Sequence, residues 1–595
     1  MNHPEHALEV LHTRVKGQNV WTLITEGALA KVRADRISTV VLESFPVNRR
    51  EVAAHVENVM SALEHHSSRR TVTPGGADWL HVHHVPVRRL VTQLVRRLLV
   101  LSAWEPFARS PGPLALSPNE GLIGIREIGS REYRSYTVTW SGVAYALGAS
   151  APHNPIHSLR LRQLSPRSPQ GNALTGQPVS LVPPTDVVAL SWSSRHWRTI
   201  LPVLEALGRE GHRSMLVDLA TDRADRCTAP MPKGTALLSA PSALFTASGP
   251  VPVTDVDTDG PAIQVGVHAL QLRRLERLAG GLLEVSGGCT QPSWHATLLI
   301  ERWLDEVLDA VRPHTVVGSN DTSPLGALAV HAAERRGITS VYVQHGAWVE
   351  EAVARPALHS RHIVVMGERD AERAEDWSRH PDTEIHVLGQ PRFDALAHVD
   401  RAEHRRRLQE LLSTPFILVW ACQPYGPGRL KAQADLLLEG IRRTSGNWGL
   451  AIAPHPAQRV DVFDDVLQRD TEGPVAVVDP RVGARGCVAG ADGVASVSST
   501  CGIEAVLLNV PVLEIAVHGE PTLGLAAHGL ANRCGTADDI ASALTAVSTV
   551  RPSRPPSATD AVCRWRGSSA RDIAQMIVNE AQVHHEAHGK GGLVR

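Results

Sequence analysis

Between about residue 185 and residue 550, short unbroken apolar runs alternate with longer stretches whose apolar positions recur every three or four residues. DVVALSW (186–192) is followed by the amphipathic WRTILPVLEALGREGH and then by SMLVDLA (214–220). TVVGSND (315–321), SPLGALAVHAAERRG (323–337), TSVYVQHG (339–346), HIVVMG (362–367) and EIHVLG (384–389) continue the rhythm. It restarts after about 400 with PFILVWACQ (415–423), a helical stretch near 429–443, and GLAIAPHP (449–456). PVAVVDP (474–480), GVASVSS (493–499), the helical TCGIEAVLLN (500–509) and PVLEIAV (511–517) complete the second series. Apolar, β-branched runs separated by helices of about ten to fifteen residues predict βαβ units and parallel sheets. The restart predicts two such sheets in tandem.

The flanks read differently. STVVLESFP (38–46) predicts a strand. VRRLVTQLVRRLLVLSAW (87–104) predicts a helix with apolar residues at 87, 90, 91, 94, 95 and 98 and arginines at 88, 89, 96 and 97. Such a helix either makes peripheral contact with an anionic membrane or packs its apolar stripe on its own domain. Residues 150–184 and 551–560 have the Pro- and Ser-rich composition of linkers, and ARDIAQMIVNEAQ (570–582) reads as a closing helix. The expected division is an accessory α/β or α+β domain with its linker at 1–184, and two Rossmann-like domains at 185–397 and 398–550. A linker and a helix crossing back occupy 551–595.

Composition narrows the function classes. At 595 residues the length suggests three or four domains, and 43% apolar with 20% charged residues is that of a globular chain. Sixty Lys+Arg against 61 Asp+Glu leave a formal charge of −1, which argues against a globally nucleic-acid-binding protein. Seven scattered cysteines without a C-x-x-C pair read as free thiols in a reducing cytoplasm and exclude a zinc ribbon or disulfide scaffold. No run approaches the roughly 18–20 apolar residues of a membrane span, and the N-terminus lacks a signal-peptide layout. A cytoplasmic location is expected.

In open parallel sheets, ligands bind beyond the carboxyl ends of the strands, so the residues that follow each strand are the candidates. VSST (497–500) brings Ser498, Ser499 and Thr500 to a helix N-terminus, with Gly502 in the first turn open to close approach. That is a phosphate site or plain helix capping. His455, held between Pro454 and Pro456, is a second phosphate donor or a structural histidine. Asp321 and His345 end consecutive strands of the other sheet, where His345 could act as a general base oriented by Asp321, or Asp321 itself as base. The bland reading makes Asp321 a turn former and His345 a loop hydrogen-bonder. Arg392, in GQPRFD, pairs with phosphate or locks the interdomain connection; Gln423 ends a strand, and Ser193 in SSRHW lines the cleft. Three decoys are set aside. DVDTDG (255–260) would need a carboxylate where Gly266 stands, HVHH (81–84) offers only His81 and His83 on one strand face, and HHEAH (584–588) is not H-E-x-x-H.

VYVQHG, VLGQPRFD, APHP and SSTCGIEAVLLNVPVLEI, in that order and followed by a returning helix, resemble the GT-B fold of nucleotide-sugar-dependent glycosyltransferases. Within that superfamily the chain looks most like bacterial surface- and capsular-polysaccharide transferases of the Kdo-, sialyl- and glycerophospho-transferase type. UDP-N-acetylglucosamine 2-epimerases share the layout. The resemblance covers about 185–590 and implies that His455, Ser498, Ser499 and Thr500 hold the donor phosphate. It implies further that Glu504 touches the donor's ribose or sugar and that His345 supplies the base. Gln344 and Ala347 depart from the glycerophosphotransferases' motif, and the epimerases' His-x-Glu-Ala-Gly is replaced by His345-Gly346. The implied activity is metal-independent transfer of a sugar from a nucleotide donor to a carbohydrate or natural-product hydroxyl, in surface-polysaccharide or secondary-metabolite biosynthesis. No cofactor, metal or nucleic acid is expected. The alternatives are a sugar-nucleotide 2-epimerase or hydrolase, and a non-catalytic sugar-nucleotide-binding scaffold.

Overall fold

The structure, a computed structural model, describes residues 9–15, 18–24, 39–41, 47–67, 72–103, 114–115, 122–128, 133–148, 184–246, 260–349, 357–444, 446–455, 458, 460–468, 473–517, 521–549 and 556–589. The 255–259 part of DVDTDG and Pro456 lie outside the described residues.

Two parallel sheets organise the chain from residue 187 onward. The first contains β1 (Val187–Ser191), β2 (Ser214–Asp218), β3 (Thr235–Ser239), β4 (Thr315–Gly318), β5 (Thr339–Val343), β6 (His362–Val365) and β7 (Glu384–Val387), in the order β7-β6-β5-β4-β1-β2-β3. The second contains β8 (Phe416–Ala421), β9 (Trp448–Ala453), β10 (Val475–Val477), β11 (Gly493–Ser496), β12 (Val512–Ile515) and β13 (Asn532–Cys534), in the order β10-β9-β8-β11-β12-β13. All these pairings are parallel. In each sheet the order reverses beside the first strand, between β1 and β4 and between β8 and β11, which is the doubly wound, Rossmann-like arrangement. The pair is a GT-B type fold.

Helices cover both faces, so the central strands are buried throughout, as β1, β2 and β5 are. That is why they read as unbroken apolar runs. The helices that position the site are α1 (Ser194–Arg209), α2 (Pro324–Glu334), α3 (Glu368–Trp377) and α4 (Cys501–Leu507). Two more, α5 (Pro556–Val562) and α6 (Ser569–Gly589), form the return crossing. Val562 and Cys563 pack in the core under the second sheet, whereas Ile573, Ala574 and Ile577 of α6 pack against Val187, Ala189 and Ile200 of the first domain. The Asp394 carboxylate caps α6, accepting from Ser569 N (3.0 Å) and Ala570 N (2.8 Å). Gly389 has φ +84°, and a Cβ there would run into the Arg564 carbonyl, so the crossing segment requires glycine at that point.

The accessory part does not end at 184. Helices Arg49–Ser67 and His84–Ala103 share one core with Val265, Leu270, Leu275, Leu278 and Leu282, which lie within the chain of the first parallel domain. Thr39–Val41 is a strand in a four-stranded sheet with Glu9–Val15, Gln18–Ile24 and Leu114–Ala115. The apolar stripe at 87, 90, 91, 94, 95 and 98 is at most 4% exposed and faces this core, and buried Arg88 pairs with Glu57 (3.2 Å). The helix therefore packs on its own protein and does not offer that stripe to a membrane. Among the described residues no helix is long and apolar enough to cross a membrane. HVHH is not a strand: His81 sits in the short helix Trp79–Val82, and buried His83 bonds Thr297 Oγ1 through Nε2 (3.1 Å).

Candidate functional site in the interdomain cleft

The loops after β1, β5 and β7 meet those after β9 and β11 between the two sheets. Ser193 caps α1, its Oγ accepting from Arg195 N (3.3 Å), so its hydroxyl is used in folding. The cap sets Arg195 in the first turn of α1, where its Nη2 lies 3.1 Å from Nε2 of His455 in the other domain. The backbone N–H of His455 donates to Gln458 Oε1 (2.9 Å), which fixes the loop after β9.

His345 follows β5. Its Nδ1 bonds the Ser319 carbonyl oxygen, which can only accept, so Nδ1 carries the proton and Nε2 keeps its lone pair. The His196 ring packs edge-to-face with it, the centroids 5.0 Å apart. Removal from water pushes the His345 pKa down to about 4; Arg195 and Arg392 push the same way, and the bond to Ser319 works against them. The imidazole is neutral at physiological pH.

The loop carrying His345 is held from behind by fully buried Gln344. Gln344 donates to Asp370 Oδ2 (2.8 Å) and to the Gly346 carbonyl (3.1 Å), and accepts from Met366 N (2.8 Å). Gln390 donates to the Gln344 carbonyl (2.7 Å). Arg369 links Asp370 to the Leu523 carbonyl of the second domain, so the His345 loop and the domain contact share one network.

Asp321 is not the partner expected for His345. Its carboxylate is buried and accepts from the backbone of His359 (2.9 Å) and Ser360 (2.8 Å), and burial raises its pKa to about 6. The buried backbone N–H groups at 359 and 360 need acceptors, and Asp321 supplies one to both. It holds the 359–360 loop, and the Ser319 carbonyl orients His345.

Glu504, on α4, is also already engaged. Arg485 Nη2 lies 2.7 Å and Arg485 Nε 2.8 Å from its Oε1, and Arg392 Nη2 lies 4.0 Å away. Glu504 thus holds two guanidiniums rather than standing free for a ribose. Arg392 is 11% exposed, burial lowers its pKa to about 10 so it stays charged, and its Nε has no partner among the described residues. Arg195 and Arg485 both act electrostatically on Arg392, and Glu504 holds Arg485 and lies 4.0 Å from Arg392.

The Ser/Thr turn after β11 is partly a cap. Ser499 Oγ accepts from Cys501 N (3.3 Å), and Thr500, at the N-cap position, makes no side-chain capping bond. Ser498, Ser499 and Thr500 are all partly exposed. Gly502 is buried, and a Cβ there would meet Leu525 (3.3 Å) and Leu523 (3.4 Å), so it admits these leucines rather than a ligand. Gln423 lies beyond β8, partly exposed, its carbonyl accepting from Tyr425 N (2.7 Å). Sequence reasoning assigned no role to Arg195, although SSRHW was noted, and missed Arg485 and Gln344 as a supporting group. Arg485 sits among short turns without periodicity.

No protein-family model and no curated protein sequence matches the chain. Solved structures of similar shape include a UDP-GlcNAc 2-epimerase from Methanocaldococcus jannaschii in complex with UDP-GlcNAc and UDP, at TM-score 0.43 and 14% identity over 66% of this chain and 99% of that one. A UDP-GlcNAc 2-epimerase from Neisseria meningitidis bound to UDP-GlcNAc gives 0.40 and 15%, over 67% and 99%. A wall teichoic acid polymerase gives 0.38 and 11%, over 69% and 92%. These likenesses are distant, and the fold stands on the strand order of the two sheets.

Proposed function

We propose that the chain is a cytoplasmic enzyme that binds a nucleotide-activated sugar in this cleft and breaks the bond between the anomeric carbon and the phosphate. The carrying observation is that Arg392 and Arg485 converge on the Glu504 carboxylate, Arg392 with its Nε unpartnered, while Arg195, close enough to act on Arg392, meets His455 across the cleft. Guanidiniums brought this close repel one another unless anionic charge lies among them, and a diphosphate fits their planar donor geometry. His455 and the hydroxyls of Ser498, Ser499 and Thr500 supply further donors. This array would neutralise the charge that develops on the leaving phosphate, without requiring a metal. All seven cysteines are free, in keeping with a reducing compartment.

Neutral His345 supplies a base, and the proton it takes defines the reaction. Taken from an acceptor hydroxyl that attacks the anomeric carbon, the result is glycosyl transfer to a carbohydrate or natural product. Taken from the carbon beside the anomeric centre as the nucleotide leaves, followed by re-addition, it is epimerisation. Epimerisation stands beside transfer because it needs no acceptor.

The test is incubation with UDP-, GDP-, dTDP-, CDP- and CMP-sugars, following nucleotide release and sugar configuration with and without added acceptors. Acceptor-dependent release supports transfer, and acceptor-free interconversion supports the epimerase. Binding without turnover would leave a sugar-nucleotide-binding scaffold, and absence of binding would overturn the reading altogether.

A further inference from the structure

A second cluster of ligating side chains lies at the other end of the first sheet. His362 opens β6 and Glu384 opens β7, and the two are register partners across the parallel pair. His386 lies two residues beyond Glu384, so all three side chains fall on one face of the sheet. Their nearest ligating atoms lie within 4.8 Å of one another. His362 Nδ1 is 3.2 Å from His386 Nε2 and 3.9 Å from Glu384 Oε2. The other nitrogen of His362, Nε2, faces Glu580 of α6 at 3.5 Å.

We propose that His362 Nδ1, His386 Nε2 and Glu384 form a binding site for Zn2+ or a cation of similar preference, with Glu580 orienting His362 from α6. Two imidazoles and a carboxylate are a zinc donor set, and tetrahedral Zn2+ separates its ligands by roughly 3.4 Å. The observed separations need only small side-chain adjustments to reach that value. The carboxylate–histidine relay through Glu580 fixes the tautomer that frees Nδ1 for the metal. With Nε2–H of His362 directed at Glu580, the proton between the rings belongs to His386 Nε2, and it moves to His386 Nδ1 when Nε2 turns to the metal. Arg361 lies 3.8 Å from Oε1 of Glu384, and Oε2 is the oxygen that faces His362. His362 is buried, which holds its ring in place between the two strands. The site lies at the amino ends of the strands, so it is separate from the cleft and independent of the function proposed there. A bound ion would tie the β6–β7 edge to the crossing helix.

The experiment is titration of the chelator-stripped full chain with Zn2+ against a chromophoric zinc indicator, together with thermal melting. One ion per chain with a dissociation constant below about 10 μM and a raised melting temperature is expected. His386→Ala and Glu384→Gln should each weaken binding at least about tenfold, and Glu580→Gln about 10–100-fold. Because the chain has seven free cysteines, Co2+ substitution should give a visible spectrum without a thiolate charge-transfer band. Absence of binding in the wild type, equal affinity in His386→Ala and Glu384→Gln, or a thiolate band would overturn the site. Unchanged affinity in Glu580→Gln would overturn the orienting role.

Discussion

Arg195 of the first domain and His455 of the second meet across the cleft, Nη2 to Nε2, at 3.1 Å. A guanidinium only donates, so His455 Nε2 accepts and its proton sits on Nδ1. The pair spans the two domains at the point where the cationic array gathers, and an anion drawn there would take Arg195 as a donor. Removing a charge-assisted hydrogen bond costs about 1.5–3 kcal/mol, equivalent to roughly 10–150-fold in affinity. Arg195→Ala and His455→Ala should each weaken binding of the tightest nucleotide in the panel by that order, as read by calorimetry. Unchanged affinity in both variants would remove the donor site from this part of the cleft.

His345 and Asp321 should separate cleanly. His345→Asn should leave nucleotide binding within about threefold and lower turnover by about 10²–10⁴, the usual contribution of a positioned base. Asp321→Asn keeps an oxygen acceptor for the 359–360 backbone and should leave turnover within a few-fold. If Asp321→Asn were as inactive as His345→Asn while remaining folded, the reading of Asp321 as a loop holder would fail. With the His345 pKa near 4, the base is already deprotonated across pH 5–8. The acid limb of the rate profile should therefore fall only as pH drops through about 4.

Acid should unfold the protein through its neutral buried histidines. Burial pushes His83 and His84 down to about 3 and His81, His345 and His362 to about 4, against 6.5 in the unfolded chain. The unfolded state then binds more protons, so stability is intact above pH 6.5 and is lost as pH falls from 6.5 towards 3–4. Fully buried His83 alone accounts for up to about 1.4 kcal/mol per pH unit in that window. Asp321, raised to about 6, acts oppositely and loses its contribution as pH rises from 3.8 through 6. Urea midpoints measured from pH 7 to 4.5 should fall, and His83→Gln should flatten the slope by about one proton. A flat profile would contradict the burial of these rings.

The central strands were legible because both of their faces are covered, so DVVALSW and FILVWA show no polar alternation to hide them. The edge strands β3 and β13 were not, since TALLS and NRC leave most positions open to solvent. His345 and His455 could be located because parallel strands deliver their successors to one rim. Their partners could not. The Ser319 carbonyl offers no side-chain signal, and the donors that claim Asp321 come from residues 359 and 360. Glu504 reads from sequence as a free helix carboxylate. Arg485, which holds it, comes from turns whose path only the tertiary packing sets.

The return crossing rests on two residues with different costs. Asp394 caps α6 with two backbone bonds, and Asp394→Ala should destabilise by about 1–2 kcal/mol, the usual loss for a helix N-cap. Gly389→Ala should cost more, because the residue lies at φ +84° and a Cβ would strike the Arg564 carbonyl. Because α6 packs on the first domain while α5 belongs to the core of the second, loosening the crossing should also loosen the domain pair. Limited proteolysis should then cut Gly389→Ala between the domains faster than the wild type, while each domain's own core stays protected. Equal cleavage rates, with a urea midpoint unchanged from wild type, would show that the crossing does not tie the two domains together.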